Sequence, residues 1–373
     1  MQNKLPYLEF IHQELKLSPK QRNQPLVIDL FAGCGGLALG FEAVGFKTVG
    51  YEILEDACLS YSHNLHNSCY NINLTPSSEL VDSATVIIAG PPCQPFSVGG
   101  HQLGLKDSRD GFPTFISAVK RYRPEIALFE NVRGMLFRNK EYFEEIVIAL
   151  QELGYVVEWQ ILNAGNYGVP QKRERLFCVA HKGGWKWPVK THINSPYTAG
   201  EALGNMAFSA PPESKFLTPS MDEYVKKYEI ASKCIKPRDL HLDAPSRTVT
   251  CRNLCGATGD MLRICLPDGR RRRLTVREGA RLQSFPDWFE FQGSENSQFN
   301  QIGNAVPPIL AKALACCVKR YLDSSERRLP SEICQQSQYI QLSLDLGIDI
   351  VEIPARKNSK SHRRGVKTDV REL

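Results

Sequence analysis

The sequence predicts an α/β fold: a mostly parallel sheet flanked by helices, one antiparallel hairpin at its edge, and a second, smaller, loop-rich domain. Three observations carry this reading. Short apolar runs alternate with helix-period stretches through roughly the first 180 residues, the pattern of strand–helix–strand crossovers. That alternation ends in two consecutive strand-like runs, Tyr155 to Leu162 and Arg175 to His181, joined by a loop instead of a helix. Such a pair must run antiparallel. Finally, composition shifts near Lys182, beyond which the chain to Asp268 is rich in Pro, Ser, Thr and Arg.

Taken in order, Leu26-Val27-Ile28-Asp29-Leu30-Phe31 is a buried-strand run stopped by the glycines after Ala32. A helical stretch follows from Leu37 to about Val44. The strand Thr48-Val49-Gly50-Tyr51 precedes a helix from about Glu55 to Leu65. Thr85-Val86-Ile87-Ile88-Ala89 is a further strand, ended by Gly90-Pro91-Pro92, because proline cannot donate to a ladder. A helix near Pro113 to Tyr122 leads to the strand Ile126-Ala127-Leu128-Phe129, and another from Tyr142 to Leu153 leads into the edge hairpin. Helical periodicity returns at Ile309 to Leu322 and is expected to dock on the first domain. The implied division is 1–182 plus 296–323 for the sheet domain, 183–295 for the small domain, and 324–373 for a C-terminal extension.

Bulk properties narrow the function classes. With 42% hydrophobic and 23% charged residues the chain reads as globular. No apolar run approaches the ~20 residues needed to span a bilayer, and the N-terminus lacks the basic and apolar segments of a signal peptide. No membrane partner is expected, and a reducing cytoplasm is the expected compartment. The twelve cysteines are scattered with no Cys-x-x-Cys pair, which argues against disulfides and zinc alike. The densest cluster (Cys234, His241, Cys251, Cys255, Cys265) matches no common zinc spacing. From Pro354 onward, seven basic residues face two acidic ones, so the tail holds all but one unit of the +6 net charge. It reads as a solvated terminus, with a phosphate-contacting arm as the rival reading.

Two loops carry chemistry. Gly33-Cys34-Gly35-Gly36-Leu37-Ala38 lies between a strand and a helix, where small residues let backbone N–H groups approach a ligand. Glu52 ends the next strand, where an acid can grip ribose hydroxyls. The pair says adenosine-type cofactor and leaves nicotinamide dinucleotide and S-adenosylmethionine both open. The second loop, Gly90-Pro91-Pro92-Cys93-Gln94-Pro95-Phe96-Ser97, stands at the C-terminal end of a central strand, the edge where open α/β sheets bind ligands. Glu130-Asn131-Val132 ends the next strand at that edge, and Gln171-Lys172-Arg173-Glu174-Arg175 supplies guanidinium groups. A thiol, an acid and an arginine converging beside a cofactor loop form a catalytic set.

These residues resemble the DNA cytosine-C5 methyltransferases across about residues 25 to 320, in family order. Asp29-Leu30-Phe31-Ala32-Gly33 with Gly35-Gly36 looks like the family's cofactor loop. Pro91-Pro92-Cys93-Gln94 is similar to its catalytic loop. Asp107-Ser108-Arg109, Glu130-Asn131-Val132 and Gln171-Lys172-Arg173-Glu174-Arg175 follow. After a variable stretch come Arg273-Leu274-Thr275-Val276-Arg277-Glu278, Arg281-Leu282-Gln283-Ser284-Phe285-Pro286 and Gln301-Ile302-Gly303-Asn304-Ala305-Val306-Pro307. The resemblance implies a Rossmann-like S-adenosylmethionine methyltransferase sheet. It implies cofactor contacts at Phe31, Gly33, Gly35, Gly36, Glu52, Pro92, Asn304 and Val306. Asn73, less favourably Asn71, stands where the family has an acid facing the adenine amino group.

The implied chemistry needs these residue types. Cys93 adds as thiolate to C6 of cytosine and turns the ring into an enamine nucleophilic at C5. Glu130, protonated, donates to N3. Arg173 holds O2 or a neighbouring phosphate, and Arg173 or Arg175 lowers the thiol pKa. A base within a duplex cannot present C6, so the cytosine must be flipped out. The variable stretch, about 185 to 272, is expected to read sequence, with Arg247, Thr248, Arg252 and Asn253 as base contacts. Gln94 and Ser97 on the catalytic loop also face DNA, and Arg270 with Arg271 contacts phosphate unless that segment is a solvated hairpin turn. The expected partner is double-stranded DNA, met by a monomer that works alongside a restriction endonuclease without touching it. A zinc deaminase fails because Phe96 occupies the second cysteine position, and a dehydrogenase leaves Cys93, Glu130 and Arg173 unexplained. An RNA cytosine methyltransferase stays the alternative, although the Cys-Phe-Thr tripeptide of the transfer-RNA branch is absent.

Overall fold

The computed structural model describes residues 4–81, 83–92, 110–212, 214–233, 238–256 and 259–324, which fall within one compact unit. Cys93, Gln94 and Ser97 lie outside the described residues, as does the tail.

The core of the unit is a seven-stranded sheet. Its strands are β1 (Leu26–Leu30), β2 (Lys47–Glu52), β3 (Cys69–Asn71), β4 (Val86–Ala89), β5 (Ile126–Val132), β6 (Val156–Asn163) and, after the two-residue β7 (Gln171–Lys172), β8 (Glu174–His181). The spatial order is β3-β2-β1-β4-β5-β8-β6. β1 to β5 run parallel, and β8 runs antiparallel between β5 and β6. The expected edge hairpin is therefore present, with β8 as its inner strand and β6 at the margin. Central strands such as β4 are buried throughout, which explains their continuous apolar runs. The order reverses at β1/β4, and there the C-terminal strand ends open the crevice in which such sheets bind ligands.

Helices Gly36–Val44, Glu55–Asn64, Phe112–Tyr122 and Lys140–Glu152 fall where periodicity placed them. Helix Pro308–Asp323 docks on Gly36–Val44. A Cβ at Gly40 would sit 2.4 Å from the Lys312 backbone nitrogen, so only glycine permits this approach. Tyr7–Glu14 and Pro219–Ala231 are among the helices that periodicity did not place. Tyr7–Glu14 is anchored by the Tyr7 hydroxyl on the Arg281 carbonyl at 3.0 Å. Pro219–Ala231 buries only Val225, so it lacks the apolar stripe by which a helix is recognised.

The arginine-rich stretch is a hairpin: β10 (Arg263–Cys265) pairs antiparallel with β11 (Arg271–Arg273). Between the sheet and this hairpin, β9 (Ser246–Arg247) pairs with β7 in parallel.

Candidate active site

At the end of β1 the backbone turns sharply. Phe31 adopts φ 57°, unusual for a non-glycine residue and a conformation found where function constrains the chain. Its ring lies under the ends of the catalytic loop, since a Cβ on Gly111 would meet Pro92 Cδ at 2.7 Å and Phe31 Cζ at 2.8 Å. Gly33 (φ 54°) follows with open space where a side chain would project. Gly36 is closed on its far side by the Val306 carbonyl, 2.5 Å from a would-be Cβ. The two motif segments implied to hold cofactor thus meet.

Glu52, 8% exposed, accepts from the Gly33 N–H at 2.8 Å and the Leu54 N–H at 2.9 Å. Each carboxylate oxygen keeps a further acceptor position. Beneath it, Asp29 is buried and its Oδ2 has no hydrogen-bond partner. Burial, reinforced by the charge of Glu52, pushes the Asp29 carboxyl well above its usual range. An orphaned buried acid beside an open glycine turn fits a cationic, hydroxyl-bearing ligand. Ile53 and Leu54, both 58% exposed, extend this rim with apolar surface. Their signal, two apolar residues after a strand-end acid, is readable only once Glu52 is placed. Asn73 is exposed just past β3, whereas Asn71 donates to the carbonyls of Glu52 and Ile53 at 3.1 and 2.9 Å. Asn304 is also exposed.

On β5, at the same edge of the sheet, Asn131 donates to the Pro91 carbonyl at 3.1 Å, tying β5 to the segment that leads into Cys93. Glu130 beside it lies 3.0 Å from Arg175 Nε, and both side chains are nearly buried. The register explains the contact: Arg175 pairs across from Val132, so its long side chain reaches diagonally to the same-face residue two positions back. Burial pushes the Glu130 carboxyl up, and the Arg175 and Arg173 guanidiniums only partly oppose it. The shift favours the protonated form that a hydrogen-bond donor at this position needs.

Arg173 behaves differently. It is 1% exposed and donates to the carbonyls of Val249 at 2.7 Å, Gly303 at 3.3 Å and Ala305 at 3.0 Å. Burial, with the repulsion of Arg175, lowers its pKa to about 9. The guanidinium expected to hold cytosine O2 or a phosphate is occupied by main chain; Arg175 is the arginine that meets Glu130. Gln171 and Gln283 complete the internal fastening. Gln171 donates to the Leu282 carbonyl and Gln283 Oε1 and accepts from the Val249 N–H, while Gln283 donates to the carbonyls of Ile302 and Ala305. These motif residues hold the site's segments together.

In the variable stretch Arg247 places Nη1 on Asp260 Oδ1 at 2.8 Å and Nη2 on the Asp260 carbonyl. Arg252 is 75% exposed, and Thr248 donates to the Lys172 carbonyl at 2.7 Å. Asn253, expected to read a base, is buried and engaged locally. Its Oδ1 accepts from the Thr250 N–H and its Nδ2 donates to the Thr248 carbonyl, forming a capping box on helix Cys251–Cys255. Arg270 is exposed, bonded to Asp268 and stacked over Phe216 at 4.5 Å. Arg271 meets Asp222 at 3.3 Å and Asp239 at 3.1 Å, so its charge is already balanced. The segment turns between β10 and β11, with Arg270 on its exposed side and Arg271 engaged by carboxylates.

The comparison with protein families decides the identity. A model described as C-5 cytosine-specific DNA methylase matches residues 26–320. The chain belongs to this family. Type II methyltransferase M.AplI of Arthrospira platensis is 61% identical to it, over 88% of this chain and 95% of that protein. Type II methyltransferase M.NgoFVII of Neisseria gonorrhoeae is 32% identical, over 77% of this chain and 84% of that one. Among solved structures the Entamoeba histolytica methyltransferase EhMeth is similar in fold, with TM-score 0.64 and 20% identity over 81% of this chain and all of that one. The enzyme is thus a DNA cytosine-C5 methyltransferase, and among its described residues no single helix is long and apolar enough to cross a membrane.

Proposed function

We propose that this enzyme transfers a methyl group from S-adenosylmethionine to C5 of a cytosine flipped out of a specific double-stranded DNA sequence. The step runs through a covalent bond between Cys93 and C6, in the modification arm of a restriction–modification system. The observation that carries the reading is the nearly buried Glu130–Arg175 pair at the same edge of the sheet as the Gly33–Glu52 contact. The Type II names of M.AplI and M.NgoFVII support the system-level part. A cytoplasmic monomer, paired with an endonuclease it does not touch, fits that role.

When bound, the cofactor supplies an electrophilic methyl. Gly33, Gly35 and Gly36 offer main chain, Glu52 receives ribose hydroxyls, Asp29 faces cationic charge, and Ile53 and Leu54 border an apolar ring. Asn73 lies toward the adenine end, and Pro92, Asn304 and Val306 line the methionine side. Cys93 bonds to C6 while Glu130 gives its proton to N3, so the negative charge of addition is neutralised as it forms. C5 would take the methyl as the donor's methyl–sulfur bond breaks; a base would then take the C5 proton, the C6–sulfur bond would break to free the Cys93 thiolate, and N3 would return its proton to Glu130. Arg175, fixed on Glu130, holds O2. Arg173 anchors the loops that enclose the base. On the DNA side stand Gln94 and Ser97, the Arg247–Thr248–Arg252 segment, and Arg270.

The test is incubation with labelled S-adenosylmethionine and mixed DNA, followed by mapping of methylated cytosines. A discrete DNA sequence context and loss of product in Cys93→Ala are expected. Label in RNA with none in DNA overturns the substrate, and an unimpaired Cys93→Ala overturns the mechanism.

A further inference from the structure

Asp260 gathers three arginines. Arg238 Nη1 and Arg247 Nη1 both bond to its Oδ1, and Arg252 Nε lies 3.8 Å from its Oδ2. Arg238 is braced from behind, with Nη2 on the Tyr228 hydroxyl at 3.3 Å and its guanidinium over the Tyr228 ring at 5.1 Å. The neighbouring ladder is balanced the other way: Arg263 and Arg271 meet the three carboxylates Glu229, Asp239 and Asp222. Three guanidiniums around one partly exposed carboxylate repel one another, and an incoming anion relieves that repulsion.

The cluster is also tied to the catalytic edge. Arg247 pairs with Lys172 in the β7–β9 ladder, and the Thr248 hydroxyl bonds the Lys172 carbonyl. Lys172 is three residues before Arg175, which holds Glu130.

We propose that Arg238, Arg247 and Arg252, gathered by Asp260, form a seat for a DNA backbone phosphate that sets the strand's register relative to the catalytic edge, with Asp260 as the positioning residue. The inference rests on the DNA-methylating reading above. The hydrogen-bond geometry favours phosphate over base. Arg247 has both terminal nitrogens on Asp260, leaving no fork for a base edge, and Arg252 is 75% exposed and held at only 3.8 Å. Reading a base needs a fixed bidentate plane, whereas a phosphate accepts a mobile cation. Arg252 is the arm that transfers to phosphate; Arg238 and Arg247 stay. Burial opposes ionisation of Asp260, but the Arg247 hydrogen bond and the three guanidinium charges outweigh it and hold the carboxyl below its usual range. The anchor is thus charged throughout the neutral range.

The experiment uses the full chain with two duplexes of equal length, one carrying a site mapped by methylation and one lacking it. Arg252→Ala should weaken binding to both duplexes and reduce the slope of log K against log salt by about 0.9, the value of one phosphate contact. It should leave the methylated sequence unchanged. Asp260→Asn should raise KM for DNA several-fold while kcat at saturation holds. An unchanged salt slope in Arg252→Ala overturns the proposal, and so does a changed methylation pattern, which would make Arg252 a base reader. A fall in kcat with constant KM in Asp260→Asn overturns the positioning role. Arg252 is exposed, so its variant decides the matter even if Asp260→Asn does not fold. Absence of methyl transfer by the unsubstituted enzyme is a separate failure, that of the underlying function.

Discussion

The end of the main sheet and the arginine-rich region from Arg238 to Asp287 treat their carboxylates in opposite ways. At the sheet, burial drives Asp29 and Glu130 upward, toward the protonated form. In the arginine-rich region, Asp260 and Asp287 are held below their usual range by guanidinium neighbours that outweigh burial. One region keeps acids able to hold a proton; the other uses acids as permanent counter-ions. The arginines of the β10–β11 ladder are therefore scaffold, while the acids that burial pushes upward lie at the sheet edge. Arg263, Arg271 and Arg272 are all engaged by carboxylates, whereas Asp29 keeps an oxygen with no partner.

The strongest way to break this contrast is Glu130→Ala. Removing a positioned proton donor should lower kcat by about 10²–10⁴-fold, with the protein still folded by circular dichroism; a loss under tenfold would make Glu130 another counter-ion. In the other region, Glu278→Ala leaves Arg272 charged and unpaired, and both side chains of that pair are fully buried. A loss of about 3–5 kcal/mol in denaturant unfolding is expected. Gly40→Ala probes the scaffold without touching charge. Overpacking against the Lys312 backbone should cost about 1–3 kcal/mol, read as a lowered denaturation midpoint.

Unfolding measured against pH sharpens the comparison. Glu130 has a raised folded pKa, so its contribution is fully present below the ordinary glutamate value and is lost as pH rises through the raised one. Asp260 has a depressed pKa, so its contribution is present above the ordinary aspartate value and is lost as pH falls through the depressed one. Glu130→Gln should flatten the first dependence and Asp260→Asn the second. Smallest of all, Arg271→Ala should leave the salt dependence of DNA binding unchanged because Asp222 and Asp239 already balance it. Arg270→Ala should reduce the slope by at most about 0.9. Equal effects from the two would erase the distinction.

Much of the sheet was legible from sequence because a buried parallel strand needs an uninterrupted apolar run, and β1, β4 and β5 supply one. The inner position of β8 was not, since adjacency in sequence says only that two strands pair, not which of them faces β5. The site was legible as motifs but not as roles. Arg173 and Arg175 look equivalent in Gln171-Lys172-Arg173-Glu174-Arg175. The strand break between β7 and β8 falls at Arg173 and turns it inward to three carbonyls. Asn253 misled for a related reason: an amide suited to an adenine edge is equally suited to capping a helix, and Thr250 three residues earlier completes the cap. Helix Pro219–Ala231 escaped notice because one buried residue makes no stripe.

The closure of Gly36 by the Val306 carbonyl has a consequence for synthesis. The glycine turn lies near the start of the family-matched region, and the wall that completes it lies near that region's end. At about 5–20 residues per second, roughly a quarter of a minute or more separates the two. A nascent or prematurely ended chain can hold the strands of the sheet and still lack one side of the turn. The turn is closed only in chains translated past Val306.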